Sequence, residues 1–286
     1  MGVIRTTPAS VDRAASMFAS VTKVTDHGPI ADTVRRTVAN VSSTGWLPSG
    51  DVVVDGVRLR VVDYGRDCTD STADPNACQA IVLLAGPDTD GSLWTGVTRD
   101  LSPAHRVVVP DLVGLGESEA PVDTAPYPLA RQAQRLLLLL DLLGIDRFAV
   151  TGHGLGAAVG VHLAALAPPR VRALVALSGP LHSDVWAPPK AGSRWRPGGD
   201  RQRGKRNFLR AVDMPAVERM VALVRGTPAL VLWGENDHSL STSYGQRVAA
   251  ALAAEWVPIS DAGHRLPVER PERVAEEIHA FVGSVG

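Results

Sequence analysis

Residues 148–160 read FAVTGHGLGAAVG. An apolar, partly β-branched run meets a tight glycine turn and then a stretch of helical composition. A strand-to-helix elbow of this kind usually presents a nucleophile at its apex. Here the apex is Gly154, which has no side chain. Glycine relieves a backbone penalty of roughly 1–3 kcal/mol where φ must be positive. It also leaves room for a water or a substrate group where a hydroxyl would stand. Both readings are open at the level of sequence.

Other stretches with chemical potential are less specific. Cys68 and Cys78 share one polar segment, GRDCTDSTADPNACQA. They read as two free thiols or as a loop disulfide, and their spacing does not suggest a metal site. No metal is expected elsewhere. Between residues 190 and 210 lie Lys190, Arg194, Arg196, Arg201, Arg203, Lys205, Arg206 and Arg210, against Asp200 alone. Such a run reads as a solvated loop, or as a surface attracting an acidic substrate or a carrier-bound arm. Trp186 and Trp195 are candidates for apolar contacts beside it.

The elements that must position these residues follow from periodicity. Residues 51–65, DVVVDGVRLRVVDYG, read as two strands joined at Asp55-Gly56, a dipeptide suited to positive φ. Further apolar runs, AIVLLAG, RVVVPD, RFAVTG, RALVALSG, ALVLWG and EWVPIS, alternate with helical segments such as LARQAQRLLLLLDLLG and YGQRVAAALAA. RPERVAEEIHAFV closes the chain as an amphipathic helix. Strands alternating with helices imply an α/β fold with a mostly parallel sheet covered on both faces. An insertion at about 181–226 reads as a lid. Its Pro/Gly-rich front half is not expected to be regular helix, whereas MPAVERMVALVRG is. Residues 1–50 read as a helical leader packed on the domain at 51–286.

The 286 residues carry a net charge of −1. That balance argues against a nucleic-acid binder and favours a small-molecule substrate. The N-terminus has no apolar signal region, and the longest apolar run, at 136–144, is too short to span a bilayer. A cytoplasmic protein with no membrane partner is expected. Gly2 and Thr6 fit the loose myristoylation pattern, which recurs often by chance.

The order of motifs resembles the α/β-hydrolase superfamily, notably its esterase, epoxide-hydrolase and carbon–carbon hydrolase branches. RVVVPDLVGLGESEAP, TGHGLGAAVG, LVLWGENDHSL and ISDAGHRLPVERPERVAEEIHAFV carry the resemblance from about residue 51 onward. It implies Asp237 as the acid, His264 as the base, and Gly154 at the vacant nucleophile position. It also implies that Leu155 N–H faces the developing anion. The family's His-Gly-x is Ala85-Gly86-Pro87 here, and Pro87 has no N–H to donate. Asp88 and Trp94 follow on the same loop and, with Trp186, are pocket candidates. His153, beside the apex, reads as structural or pocket-lining, and His238 as exposed or packed in its loop. The tyrosines, Tyr64, Tyr127 and Tyr244, all lie outside the lid. Lid tyrosines protonate the leaving oxygen in epoxide hydrolases, so that assignment is disfavoured.

These features imply a cofactor-independent enzyme in which a His264–Asp237 dyad acts as general base. Ring closure, elimination, isomerisation or retro-aldol cleavage of a small hydrophobic substrate, natural products included, all fit such a base. The alternatives are hydrolysis of an activated ester or epoxide by His-activated water, a non-catalytic binding protein, and a hydrolase inactivated by replacement of its nucleophile.

Overall fold

A computed structural model describes residues 49–65, 79–186 and 199–285. The expected leader helices, Cys68, Cys78, Lys190, Arg194, Trp195 and Arg196 lie outside the described residues. Strands β1 (Gly50–Val54) and β2 (Val57–Gly65) form an antiparallel hairpin. Asp55 and Gly56 turn it with φ of 49° and 72°. The turn chemistry read from the sequence is the turn observed.

Next in the chain come β3 (Ala80–Leu84), β4 (Arg106–Pro110), β5 (Phe148–His153), β6 (Val171–Leu177), β7 (Ala229–Gly234) and β8 (Glu255–Ile259). They build one eight-stranded sheet in the order β1-β2-β4-β3-β5-β6-β7-β8, parallel from β4 through β8. Every residue of β3, β4, β5 and β7 is buried. Alternate side chains enter two cores. Val82, Val108, Val150, Leu174 and Val231 face one, and Ile81, Val107, Ala149, Val175 and Leu230 face the other.

The first core is covered by α2 (Leu129–Leu142), α3 (Leu155–Leu166) and α6 (Thr242–Leu252), the second by α1 (Thr95–Leu101) and α8 (Pro271–Ser284). The short α7 (Leu266–Glu269) precedes α8. Between β6 and β7 the insertion carries α4 (Asp200–Arg210) and α5 (Met214–Leu223). The latter is the helix expected there, with the Asp213 side chain accepting Ala216 N–H at its start.

Helix α4 corrects the expectation of a solvated loop for residues 200–210 of the basic stretch. No proline interrupts residues 200–210, Asp200 lies in the first turn and Arg210 in the last, complementing the helix dipole. Asp200 also pairs with Arg203 one turn on. Tertiary contact then anchors the helix. Phe208 is fully buried, and Gly204 lies against Gly114 so closely that a Cβ at residue 204 would come within 2.2 Å of the Gly114 carbonyl oxygen.

The chain leaves β3 towards β4 but leaves β5 towards β6, so the loops after β3 and β5 diverge. Their C-terminal ends form the topological switch point where α/β sheets bind ligands. Residues 85–90 and Gly154 both lie there.

Candidate active site

The apex at Gly154 is the cap of α3, with φ of 57° and ψ of −129°. This conformation favours glycine. A Cβ added at Gly154 would meet nothing within 4 Å, so conformation and not crowding sets the demand. Its neighbours differ. A Cβ at Gly152 would lie 2.4 Å from Ala157 N, and one at Gly156 would lie 2.3 Å from Leu84 O. Those two glycines let α3 approach β3 and β5, whereas Gly154 shapes the turn. Leu155 is the first helical residue, and its amide has no carbonyl one turn back to bond with inside the helix. That N–H is available to an anion at the helix start.

Asp237 lies just beyond β7, and its side chain is fully buried. Oδ1 accepts the amides of Ser239 at 2.8 Å and Leu240 at 2.9 Å. Oδ2 is 2.9 Å from His264 Nδ1. Burial works against charge on this carboxyl. The hydrogen bonds from His264, Leu240 and Ser239 outweigh it and hold the group below the ordinary carboxylate range. An ionised Asp237 fixes the proton on Nδ1 and leaves Nε2 as the basic nitrogen. Among the described residues Nε2 has no hydrogen-bond partner, and the His264 side chain is 27% exposed.

The loops after β7 and β8 are locked together. Asn236 N–H donates to Ala262 O at 2.9 Å, and a Cβ at Gly234 would lie 2.2 Å from Gly263 O. On the far side, His153 Nε2–H donates to the His264 carbonyl at 2.7 Å, and the two rings meet edge to face with centroids 5.1 Å apart. Burial pushes His153 down to about 4, so its ring is neutral near pH 7. His153 thus ties the elbow to the loop that carries His264.

The other candidates separate. Gly86 abuts the elbow, since its Cβ would lie 3.1 Å from Leu155 N and 3.2 Å from His153 O, and buried Pro87 follows it. Asp88 is 82% exposed and pairs with Lys205 of α4 at 2.8 Å. Trp94 is wholly buried in the core beneath α1 and α8, so the sequence expectation that it lines the pocket is corrected. Its indole serves packing, and the apolar pattern around it could not distinguish core from pocket. Trp186 packs partly against the first core at the start of the insertion. His238 is exposed. Tyr244 was not singled out from the sequence for the site, yet its hydroxyl accepts Leu181 and His182 N–H at 2.9 and 3.0 Å, fixing that entry. Among the described residues no group of three or more His, Cys, Asp or Glu could hold a metal ion. No helix among them is long and apolar enough to cross a membrane.

A strand-to-helix turn at the switch point and a His–Asp pair carried on the last two strand loops are the arrangement that the order of motifs implied. The family model of the alpha/beta hydrolase fold matches residues 79–225. The chain belongs to that family. A protein of Cronobacter turicensis named as a candidate carbamate hydrolase, RutD, is 40% identical over 108 residues, 37% of this chain and 39% of that protein. The chain therefore spans about two fifths of the length of that curated relative. Among solved structures, the enol-lactonase of Burkholderia xenovorans superposes with a TM-score of 0.68 at 24% identity, over 82% of this chain and 99% of its own. An epoxide hydrolase from metagenomes of hot environments gives 0.65 at 21% identity, over 82% and 98%. At these identities the likeness is one of fold.

Proposed function

We propose that this α/β-hydrolase-fold protein is a general-base enzyme acting on a small hydrophobic carbonyl compound without hydrolysing it. His264 Nε2 takes a proton from carbon beside the carbonyl. The electron pair left behind delocalises onto the carbonyl oxygen, and Leu155 N–H stabilises that oxygen at the start of α3. Asp237 holds the ring and balances the imidazolium that forms. The anion then closes a ring, expels a leaving group, or recovers the proton at another position.

The single observation behind this reading is a His–Asp pair whose Nε2 has no partner among the described residues, in a site whose apex, Gly154, offers no nucleophile. Loss of the nucleophile leaves hydrolytic triads only about 10³–10⁴-fold above water. The Pro87 position removes a further amide donor, and one such donor is worth about 10²–10³. Proton abstraction needs neither. A second reading is favoured by the open space at Gly154 and by the names of the relatives: His264 activates a water there and hydrolyses an activated ester or lactone.

Incubation of the full chain in D₂O with a panel of small ketones, β-keto esters and lactones tests both. Mass spectrometry should find deuterium at the carbon beside the carbonyl, with the rate reduced about 10²–10⁴-fold in His264→Ala. Equal incorporation by wild type and His264→Ala would overturn the proposal. Ring opening or ester cleavage that depends on His264, without carbon deuteration, would establish the water-activating reading instead.

A further inference from the structure

The segment around His264 is fastened at more points than its ring and carbonyl. The amides on either side of it, Gly263 N–H and Arg265 N–H, both donate to the carboxylate of Glu269, to Oε2 and Oε1 respectively, the second at 3.2 Å. The amides of Val268 and Glu269 in turn donate to Arg265 O at 2.9 and 3.0 Å. Residues 263–269 therefore form a closed ring of hydrogen bonds with His264 at its apex. The two oxygens of a carboxylate are spaced to take two converging N–H groups, and charge strengthens both bonds. Gly263 belongs to the same device. A Cβ there would sit 3.2 Å and 3.5 Å from the two Glu269 oxygens and 3.4 Å from Asn236 O, tight against the carboxylate.

We propose that Glu269 is a positioning residue for His264. By holding both peptide planes that flank the histidine, it sets the direction in which Asp237 and His153 find the ring and the carbonyl. Gly263 leaves the carboxylate room to reach. The proposal rests on His264 being the working base, as proposed above, but its test uses no substrate and no turnover, so the two can fail separately.

The measurement is NMR of the ¹⁵N-labelled full chain without ligand, following the His264 Nδ1 proton, which is identified by its disappearance in His264→Ala. In Glu269→Ala this proton should move upfield and exchange with water about three- to ten-fold faster, the discounted worth of charge-assisted bonds at an exposed site. Glu269→Gln, which keeps one acceptor oxygen, should lie between. Ile278→Val trims a methyl group from the second core, which also holds Leu266, but removes none of the hydrogen bonds around residues 263–269, and should leave the signal alone. An unchanged signal in Glu269→Ala overturns the proposal, as does an equal change in Ile278→Val. If Glu269→Ala does not fold, Glu269→Gln decides by the same criterion.

Discussion

Restoring a hydroxyl at the elbow separates backbone strain from chemistry, provided Gly154→Ser and Gly154→Ala are compared. Nothing lies within 4 Å of a Cβ at this position, so neither variant should clash. Both must adopt φ of 57° with ψ of −129°, which costs about 1–3 kcal/mol for a residue with a side chain. At about 2–4 °C per kcal/mol for a domain of this size, the melting temperature of each should fall by roughly 2–12 °C. The two falls should agree closely, because the penalty arises at Cβ. Activity should diverge. Removing the nucleophile from a complete triad costs about 10⁶, and lacking one oxyanion donor withholds about 10²–10³ of that. Gly154→Ser should therefore exceed Gly154→Ala by about 10³–10⁴ in the hydrolysis of 4-nitrophenyl acetate. A second change, His264→Ala, should erase the gain. No gain in a folded Gly154→Ser protein would mean that the dyad does not address the apex, and the catalytic reading of the site would fall. Equal stability of wild type and both variants would refute the backbone argument.

Three further outcomes follow from burial and packing. His153 sits at about 4 when folded against an ordinary 6.5, so between these values the unfolded chain binds the extra proton. Stability is complete above pH 6.5 and should fall as pH drops towards 4, by up to about 3 kcal/mol from this ring, with His153→Phe flattening the slope of urea midpoints against pH. Gly204→Ala improves helix propensity by about 0.5–1 kcal/mol, but its methyl group would collide with the Gly114 backbone. Overpacking should win, with a net loss of about 1–2 kcal/mol and faster amide exchange across residues 200–210; a stabilised variant would show that the contact is absent. Asp63→Ala strands the buried guanidinium of Arg106, now 2.7 Å from Asp63 Oδ2, and should cost about 3–5 kcal/mol in denaturant titration. A loss under 1 kcal/mol would contradict that burial.

Much of the frame was legible because the signals were local. Continuous apolar runs marked buried parallel strands, Asp55-Gly56 marked the hairpin, and the order of motifs paired His264, in the loop after β8, with Asp237, in the loop after β7. What escaped depends on contacts between distant segments. Helix α4 has only Phe208 and Leu209 as strong apolar residues, and it is held by the approach of Gly204 to Gly114, which no local pattern encodes. Trp94 shows the opposite failure, since burial among Ile81, Leu83 and Val97 follows from where α1 docks. Glu269 was hidden for a third reason. A carboxylate five residues past a histidine looks like an ordinary surface charge until the loop folds back and places two amides on it.

The meeting of α4 with the loop after β4 has a geometric consequence. Because Gly114 and Gly204 meet main chain to main chain, no side-chain rotamer can change the spacing of α4 from the loop after β4 at this point. Any change of that spacing has to move a whole stretch of backbone, so relatives that carry α4 at the same distance should keep glycine at both positions.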